Sequence, residues 1–220
     1  MTSMNPFGQI IEQAINNGVS EQTIVLLLLL PLVASLVAAA RYLVGFRGFG
    51  IFIPSALAAA LYVAGAQAGV IIFLVVLLSA TFARWLLKKF KLNIHYLARM
   101  AILLWLVSLV TLAVIIASPW LGIDQLVVIS IFPILILVLL AEEFIGVQTG
   151  KSLREAGRLT METIIIAFLG YLVFSSEFLQ TGALRYPHWI IITPVLVNLI
   201  VGRFTGLRLF EFYRFRKILK

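Results

Sequence analysis

Two arginines and three glycines stand together in "RYLVGFRGFGIFIP", Arg41 to Pro54, between two strongly apolar runs. Arg47, Gly48, Gly50 and Pro54 suit an anion. A guanidinium grips a carboxylate or phosphate with two parallel hydrogen bonds. Glycines let that group approach the free N–H groups of a helix start, where the helix dipole favours negative charge. Arg99 opens the fourth apolar run, and Glu142 with Glu143 closes the fifth. If these helix ends converge, Arg47, Gly48, Gly50, Pro54, Arg99, Glu142 and Glu143 form a charged vestibule. A plainer alternative stays open: Arg41 and Arg47 snorkel to lipid phosphates around a tight glycine turn, and the two glutamates pair with Arg99, Arg154 or Arg158.

No catalytic set accompanies these residues. There is no HExxH metal helix and no GxSxG nucleophile elbow. His95 and His188 fall on opposite sides of the expected membrane. With no cysteine, disulfides, thiolate chemistry and Cys-ligated metals are excluded. The six lysines lie in expected cytoplasmic segments, so no lysine in a late span offers a retinal Schiff base. The expectation is a protein that is not an enzyme and uses neither cofactor nor metal.

The elements that must position these residues are set by composition. Across 220 residues, 62% are hydrophobic and only 12% charged, and the mean hydropathy of +1.11 is far outside the soluble range. Windows of roughly 20 apolar residues, the length that crosses a bilayer core of about 30 Å, fall at 22–40, 49–66, 68–84, 98–117, 125–142, 161–179 and 187–203. These runs are apolar on both parities, which excludes barrel strands. The expected fold is all-α, a bundle of seven transmembrane helices. Residues 1–21 form an extracytoplasmic N-terminal segment without the features of a removable signal peptide, and 204–220 a cytoplasmic basic amphipathic tail helix.

Charge fixes the orientation. Of the 17 Lys and Arg, 16 fall in alternate loops and the C-terminal tail, and only Arg185 falls on the other side. The positive-inside rule then puts the N-terminus outside and the C-terminus in the cytoplasm. The net charge of +8 is thereby read as membrane anchoring, with no nucleic-acid partner. Pro31, Pro54, Pro133 and Pro194 fall inside expected spans and are expected to kink them. A short Phe-Ile-Pro-like element shared by the second and fifth spans hints at inverted repeats, the organisation of many transporters. In the tail, Gly202 and Gly206 make a small-xxx-small face, and Arg208, Glu211 and Arg214 recur along one side. With Arg203, these residues form either a membrane-surface anchor or a docking site for a cytoplasmic protein.

From about Val19 to Phe215 the chain resembles the bacterial seven-transmembrane domain usually found fused behind an inactive transglutaminase-like domain. The resemblance is carried by "LPLVASLVAAARYLVGFRGFGIFIPSALAAAL", "FPILILVLLAEEF" and "GRFTGLRLFEFYRF". It implies a multi-pass protein of the bacterial inner membrane with an extracytoplasmic transglutaminase-like partner. Only about 20 residues precede the first span here, so the expectation is a stand-alone module or a fragment. The resemblance also implies an association with cytoplasmic ATP-grasp ligases of the glutamate-ligase type. "FRGFGIFIPSALAAA" is similar to part of the small membrane subunit of poly-γ-glutamate synthesis and export.

Three functions stay open: a non-enzymatic subunit scaffolding or translocating an anionic amino-acid polymer, a stand-alone secondary transporter or channel, and an anchor or sensor for an extracytoplasmic domain. The oligomeric state is open too. A cytoplasmic C-terminus predicts that a fused alkaline phosphatase, active only outside the membrane, stays inactive at position 220. Activity there would overturn the topology.

Overall fold

The computed structural model describes residues 6–89, 95–123, 126, 130–150 and 153–203, and the expected tail helix therefore lies outside the described residues. The described residues are helical, with no strand among them. In order the helices are α1 (Pro6–Asn16), α2 (Glu21–Ala39) continued by a π-helical turn (Ala40–Val44), α3 (Phe52–Ala64), α4 (Ala66–Lys89), α5 (Tyr96–Ala117), α6 (Ile131–Gly150), α7 (Leu153–Ser175), α8 (Glu177–Arg185) and α9 (Pro187–Gly202). Each expected span overlaps at least one of these helices, and the sixth overlaps two. Among the described residues, α2 with its π turn, α4, α5 and Arg154–Ser175 of α7 are long and apolar enough to cross a membrane. The pair α8 and α9, bent by 110°, supplies a fifth crossing if it counts as one broken span.

Several boundaries depart from the expectation for local reasons. The second expected span holds only the 13 residues of α3, which rise about 20 Å at 1.5 Å per residue against a core of about 30 Å. Pro54 and Pro133 are each the third residue of their helix, α3 and α6. They therefore start helices rather than kink them, because a first-turn N–H has no helical partner to lose. Pro31 and Pro194 do lie inside α2 and α9. The sixth expected span ends at Ser175 and yields to the separate helix α8. The N-terminal segment contains α1, whose Phe7, Ile10, Ile11, Ala14 and Ile15 follow the spacing of an amphipathic helix.

The chain divides into two compact units, Met1–Ala59 with Met161–Lys220, and Ala60–Thr160. In the first, Val25, Leu29, Val33 and Val37 of α2 recur every fourth residue and are buried. This stripe belongs to a helix that packs against α8 and α9, and α1 rests on the same two helices. Side chains link the two proline-containing helices. Ser35 Oγ donates to the Pro31 carbonyl at 2.8 Å, with the Pro194 carbonyl 3.4 Å away. The Asn198 side-chain amide donates to Ser35 Oγ at 2.9 Å. The Gln180 side chain donates to the Phe174 carbonyl at 2.6 Å, closing the last turn of α7.

In the second unit α4, α5 and α6 pack on one another. Ile72, Phe73, Val76 and Ala80 of α4, and Met100, Leu103 and Val107 of α5, are buried at helical spacing. The Phe73 and Phe144 rings meet at 5.8 Å. Outward-facing side chains are apolar as well: Leu27, Leu78, Trp105 and Ile200 are each more than 60% exposed. Such faces are tolerable only where the surrounding solvent is hydrocarbon.

Close helix approach in the first unit rests on Gly170 of α7, where an added Cβ would lie 2.8 Å from Ala58 Cβ and 2.9 Å from Val33 Cγ1. At Gly157 of the same helix nothing lies within 4 Å. Gly170→Ala should therefore lower the melting temperature of the detergent-solubilised protein, at a cost of about 1–3 kcal/mol. Gly157→Ala should be neutral or stabilising, because alanine favours the helix by about 1 kcal/mol.

Candidate functional site

The loop between α2 and α3 is shaped by the way α2 ends. The helix widens into the π turn, and Gly45, at φ +100°, donates to the Ala40 carbonyl at 3.1 Å. That left-handed conformation suits glycine and turns the chain out of the helix. The widened turn presents Arg41 and Tyr42, and Phe46 packs against the buried cluster of Val37, Ala40 and Ile166. α3 begins only at Phe52, so Arg47, Gly48 and Gly50 form a loop ahead of the helix rather than its first turn.

That loop is held by α7. The Arg47 amide donates to Glu162 Oε2 at 2.6 Å, and the Phe49 amide donates to Thr163 Oγ1 at 2.9 Å. Both acceptors are buried, Glu162 at 7% exposure and Thr163 at 0%. Gly48 lies between these two anchored amides. A Cβ there would stand 2.9 Å from Thr163 Oγ1 and 3.4 Å from the Thr163 backbone nitrogen. The absence of a side chain at Gly48 thus lets the loop lie on α7. The expected role, exposing backbone donors to a ligand, meets a different arrangement in which the protein's own carboxylate and hydroxyl take the neighbouring donors. Gly50 is exposed with open space around it, and Pro54 is buried in the first turn of α3.

The guanidinium groups are placed differently. Arg41, Tyr42, Phe46, Arg47 and Ile51 line an open concavity of about 440 Å³. Arg41 is half-buried, with one guanidinium nitrogen 3.5 Å from the Gly48 carbonyl, at the limit of hydrogen bonding. Arg47 is exposed. Neither guanidinium has a carboxylate partner among the described residues. Two arginines and a tyrosine thus line an opening together with Phe46 and Ile51, a set of residue types that can take a carboxylate or phosphate on an amphiphilic or polymeric ligand.

Of the residues expected to join in one site, Arg47, Gly48, Gly50 and Pro54 belong to the first unit. Arg99, Glu142 and Glu143 belong to the second. Arg99 is half-buried in the first turn of α5. Glu142 lies inside α6, not at its end, because that helix continues to Gly150. Gly202 closes α9, and Arg203 follows it with its amide 3.3 Å from the Ile200 carbonyl. Gly206, Arg208, Glu211 and Arg214 lie outside the described residues. Among the described residues no group of three or more His, Cys, Asp or Glu is placed to hold a metal.

Sequence reasoning missed Arg41 as a lining residue, and it missed Glu162 and Thr163 altogether. A usable signal was present, since a carboxylate inside a largely apolar helix is costly and marks a function by default.

Long apolar helices joined by a cationic boundary loop define a multi-pass membrane protein. Over residues 8–219 the chain matches the family described as seven transmembrane helices usually fused to an inactive transglutaminase, and it belongs to that family. No curated protein and no solved structure matches it.

The loop geometry makes a stability prediction. Gly48→Ala should cost about 1–3 kcal/mol by pushing the loop off Thr163. Gly50→Ala should stay within about 0.5 kcal/mol of the parent protein. Unfolding in mixed micelles of increasing SDS content measures both.

Proposed function

We propose that this chain is a non-catalytic subunit of the bacterial inner membrane that receives an anionic peptide or amino-acid polymer at its first cytoplasmic loop. In this reading it scaffolds the cytoplasmic ATP-grasp ligase that makes the polymer, or helps the polymer across. The observation that supports it is the pair Arg41 and Arg47, which line one open concavity and have no carboxylate partner among the described residues. The positive-inside count favours the cytoplasmic side for this loop. An apolar wall of Phe46 and Ile51 beside the two charges suits the methylene-rich backbone of a glutamyl chain.

A second reading is favoured by the family's usual fusion to an inactive transglutaminase. In it the helices anchor an extracytoplasmic transglutaminase-like domain, and Arg41 and Arg47 only meet lipid phosphates.

Binding of a fluorescent oligoglutamate peptide to the full chain in phosphatidylcholine nanodiscs separates the two. Under the first reading Arg41→Gln and Arg47→Gln each weaken binding about 10- to 100-fold, the worth of a charge-assisted hydrogen bond, with thermal stability unchanged. Equal binding by parent and variants would leave the anchor reading.

A further inference from the structure

At the start of α2 stands α1, whose stripe of Phe7, Ile10, Ile11, Ala14 and Ile15 is only partly used by the protein. The helix rests on α8 and α9, with Gly8 buried and Ile11, Ala14 and Ile15 half-buried. Phe7 and Ile10, one turn apart on the flank of the stripe, are 59% and 61% exposed. Gln9, Glu12, Gln13 and Asn16 occupy the opposite face, and all four are exposed. The end of α1 is closed by a Schellman turn, in which Gly18, at φ +97°, donates to the Ile15 carbonyl at 2.9 Å and Val19 donates to the Ala14 carbonyl at 3.1 Å. Ser20 follows and α2 begins at Glu21, so α1 is tied to the end of a helix long and apolar enough to cross a membrane. Its neighbour α8 is bent by 110° from α9. Where α9 crosses a bilayer, α8 therefore runs along the surface. Tyr186 and Trp189, at the junction of these two helices, are 48% and 61% exposed, and both are residue types that gather at the headgroup level.

We infer that α1 is an interfacial helix seated on a lipid surface, with Phe7 and Ile10 inserted at the boundary between headgroups and acyl chains. Under the positive-inside count that surface is the outer leaflet. The helix on which α1 rests already turns Ile191, Ile192 and Val195 outward, side chains suited to hydrocarbon, so lipid reaches this part of the fold. An eleven-residue helix is too short to hold itself together in water. Its protein contacts use only part of the stripe, and the lipid covers the rest. Residues 1–20 contain no Lys or Arg, and Glu12 is the one charged side chain of α1. Apolar insertion rather than attraction to anionic headgroups therefore carries the contact, and a zwitterionic lipid satisfies it. The start of α2 thereby gains a hold in the plane of the membrane in addition to the one along its span.

The chain has no cysteine, so a nitroxide label can be placed at one position at a time. Ile10→Cys and Gln13→Cys, each labelled in the full chain in phosphatidylcholine nanodiscs, are read by collision with oxygen, which concentrates in lipid, and with a water-soluble nickel chelate. The label of Ile10→Cys should meet oxygen and be shielded from nickel, and that of Gln13→Cys should show the reverse. Ready access of nickel to both labels would overturn the inference, because Phe7 and Ile10 then face water. Shielding of the Ile10→Cys label from both reagents would overturn it as well, because protein then covers the flank. Spin–spin broadening that vanishes on dilution with unlabelled chain would identify that cover as a second copy. Hydrogen exchange of unlabelled variants in the same nanodiscs gives an independent reading, with unchanged exchange along α2 showing that each variant is folded. Ile10→Asp should speed exchange of residues 7–16 by about 10- to 100-fold, the worth of one inserted isoleucine. Gln13→Glu should stay within about twofold of the parent. Equal exchange of Ile10→Asp and the parent would show that the exposed flank holds nothing, and the lipid seat would fall.

Discussion

A backbone amide in or beside hydrocarbon has no water to fall back on, so every interruption of a helix must be closed by the protein itself. The first compact unit contains several such interruptions, and side chains bond to the backbone beside them. Beside Pro31 and Pro194, Ser35 with Asn198 builds a polar link between α2 and α9 around the two proline carbonyls. At the end of α7 the Phe174 carbonyl takes the Gln180 amide. Between α2 and α3 the chain leaves helical geometry, and α7 supplies Glu162 and Thr163 to two of the freed amides. Hydroxyls that join no interhelical link turn back on their own helix, as Thr111 does to the Val107 carbonyl at 2.8 Å. Among the described residues no buried side-chain nitrogen or oxygen lacks a partner.

This constraint explains why the loop of Arg41 and Arg47 is both irregular and ordered. The π turn and Gly45 redirect the chain, and Gly48 lets it lie directly on α7. With the amides committed to α7, the positive charge left to face outward is that of the guanidiniums. In the proposed role an anion would meet these side chains rather than a helix terminus, unlike a phosphate loop, in which backbone donors converge on the ligand.

The all-helical class and the apolar runs that form α2 and α5 were legible in the sequence because Thr23–Ala40 and Ala101–Ala117 are long, apolar and bounded by charge. Their ends were less so. α7 starts at Leu153 because Arg154, Glu155 and Arg158 are good helix formers that a hydropathy window excludes. α8 is short and polar, so composition alone gives it no signature. The prolines illustrate the same limit: Pro54 and Pro31 look alike in an apolar run, and only the helix start distinguishes a tolerated first-turn proline from a kink. In the site, Arg47 and Gly48 stood out by type. Glu162 could be marked as a carboxylate in an apolar run, but its partner could not, because that partner lies 115 residues away in the chain. Hydropathy reports what an element dissolves in and carries no information about how two elements register against each other.

That register is what couples the loop to the rest of the first unit. Gly170 sits eight residues beyond Glu162 on α7, roughly two turns, and brings α7 against Val33 of α2 and Ala58 of α3. Thr163 and Glu162, at the other end of the same stretch, hold the loop that joins α2 to α3. One side of α7 therefore touches both helices and the chain segment between them. A rotation or slide of α7 that preserved the apolar contacts would still displace the two acceptors from the Arg47 and Phe49 amides, because a hydrogen bond weakens steeply with misalignment and close packing does not yield continuously. The position of the two guanidiniums is thus set by the packing of α7 as much as by the loop that carries them.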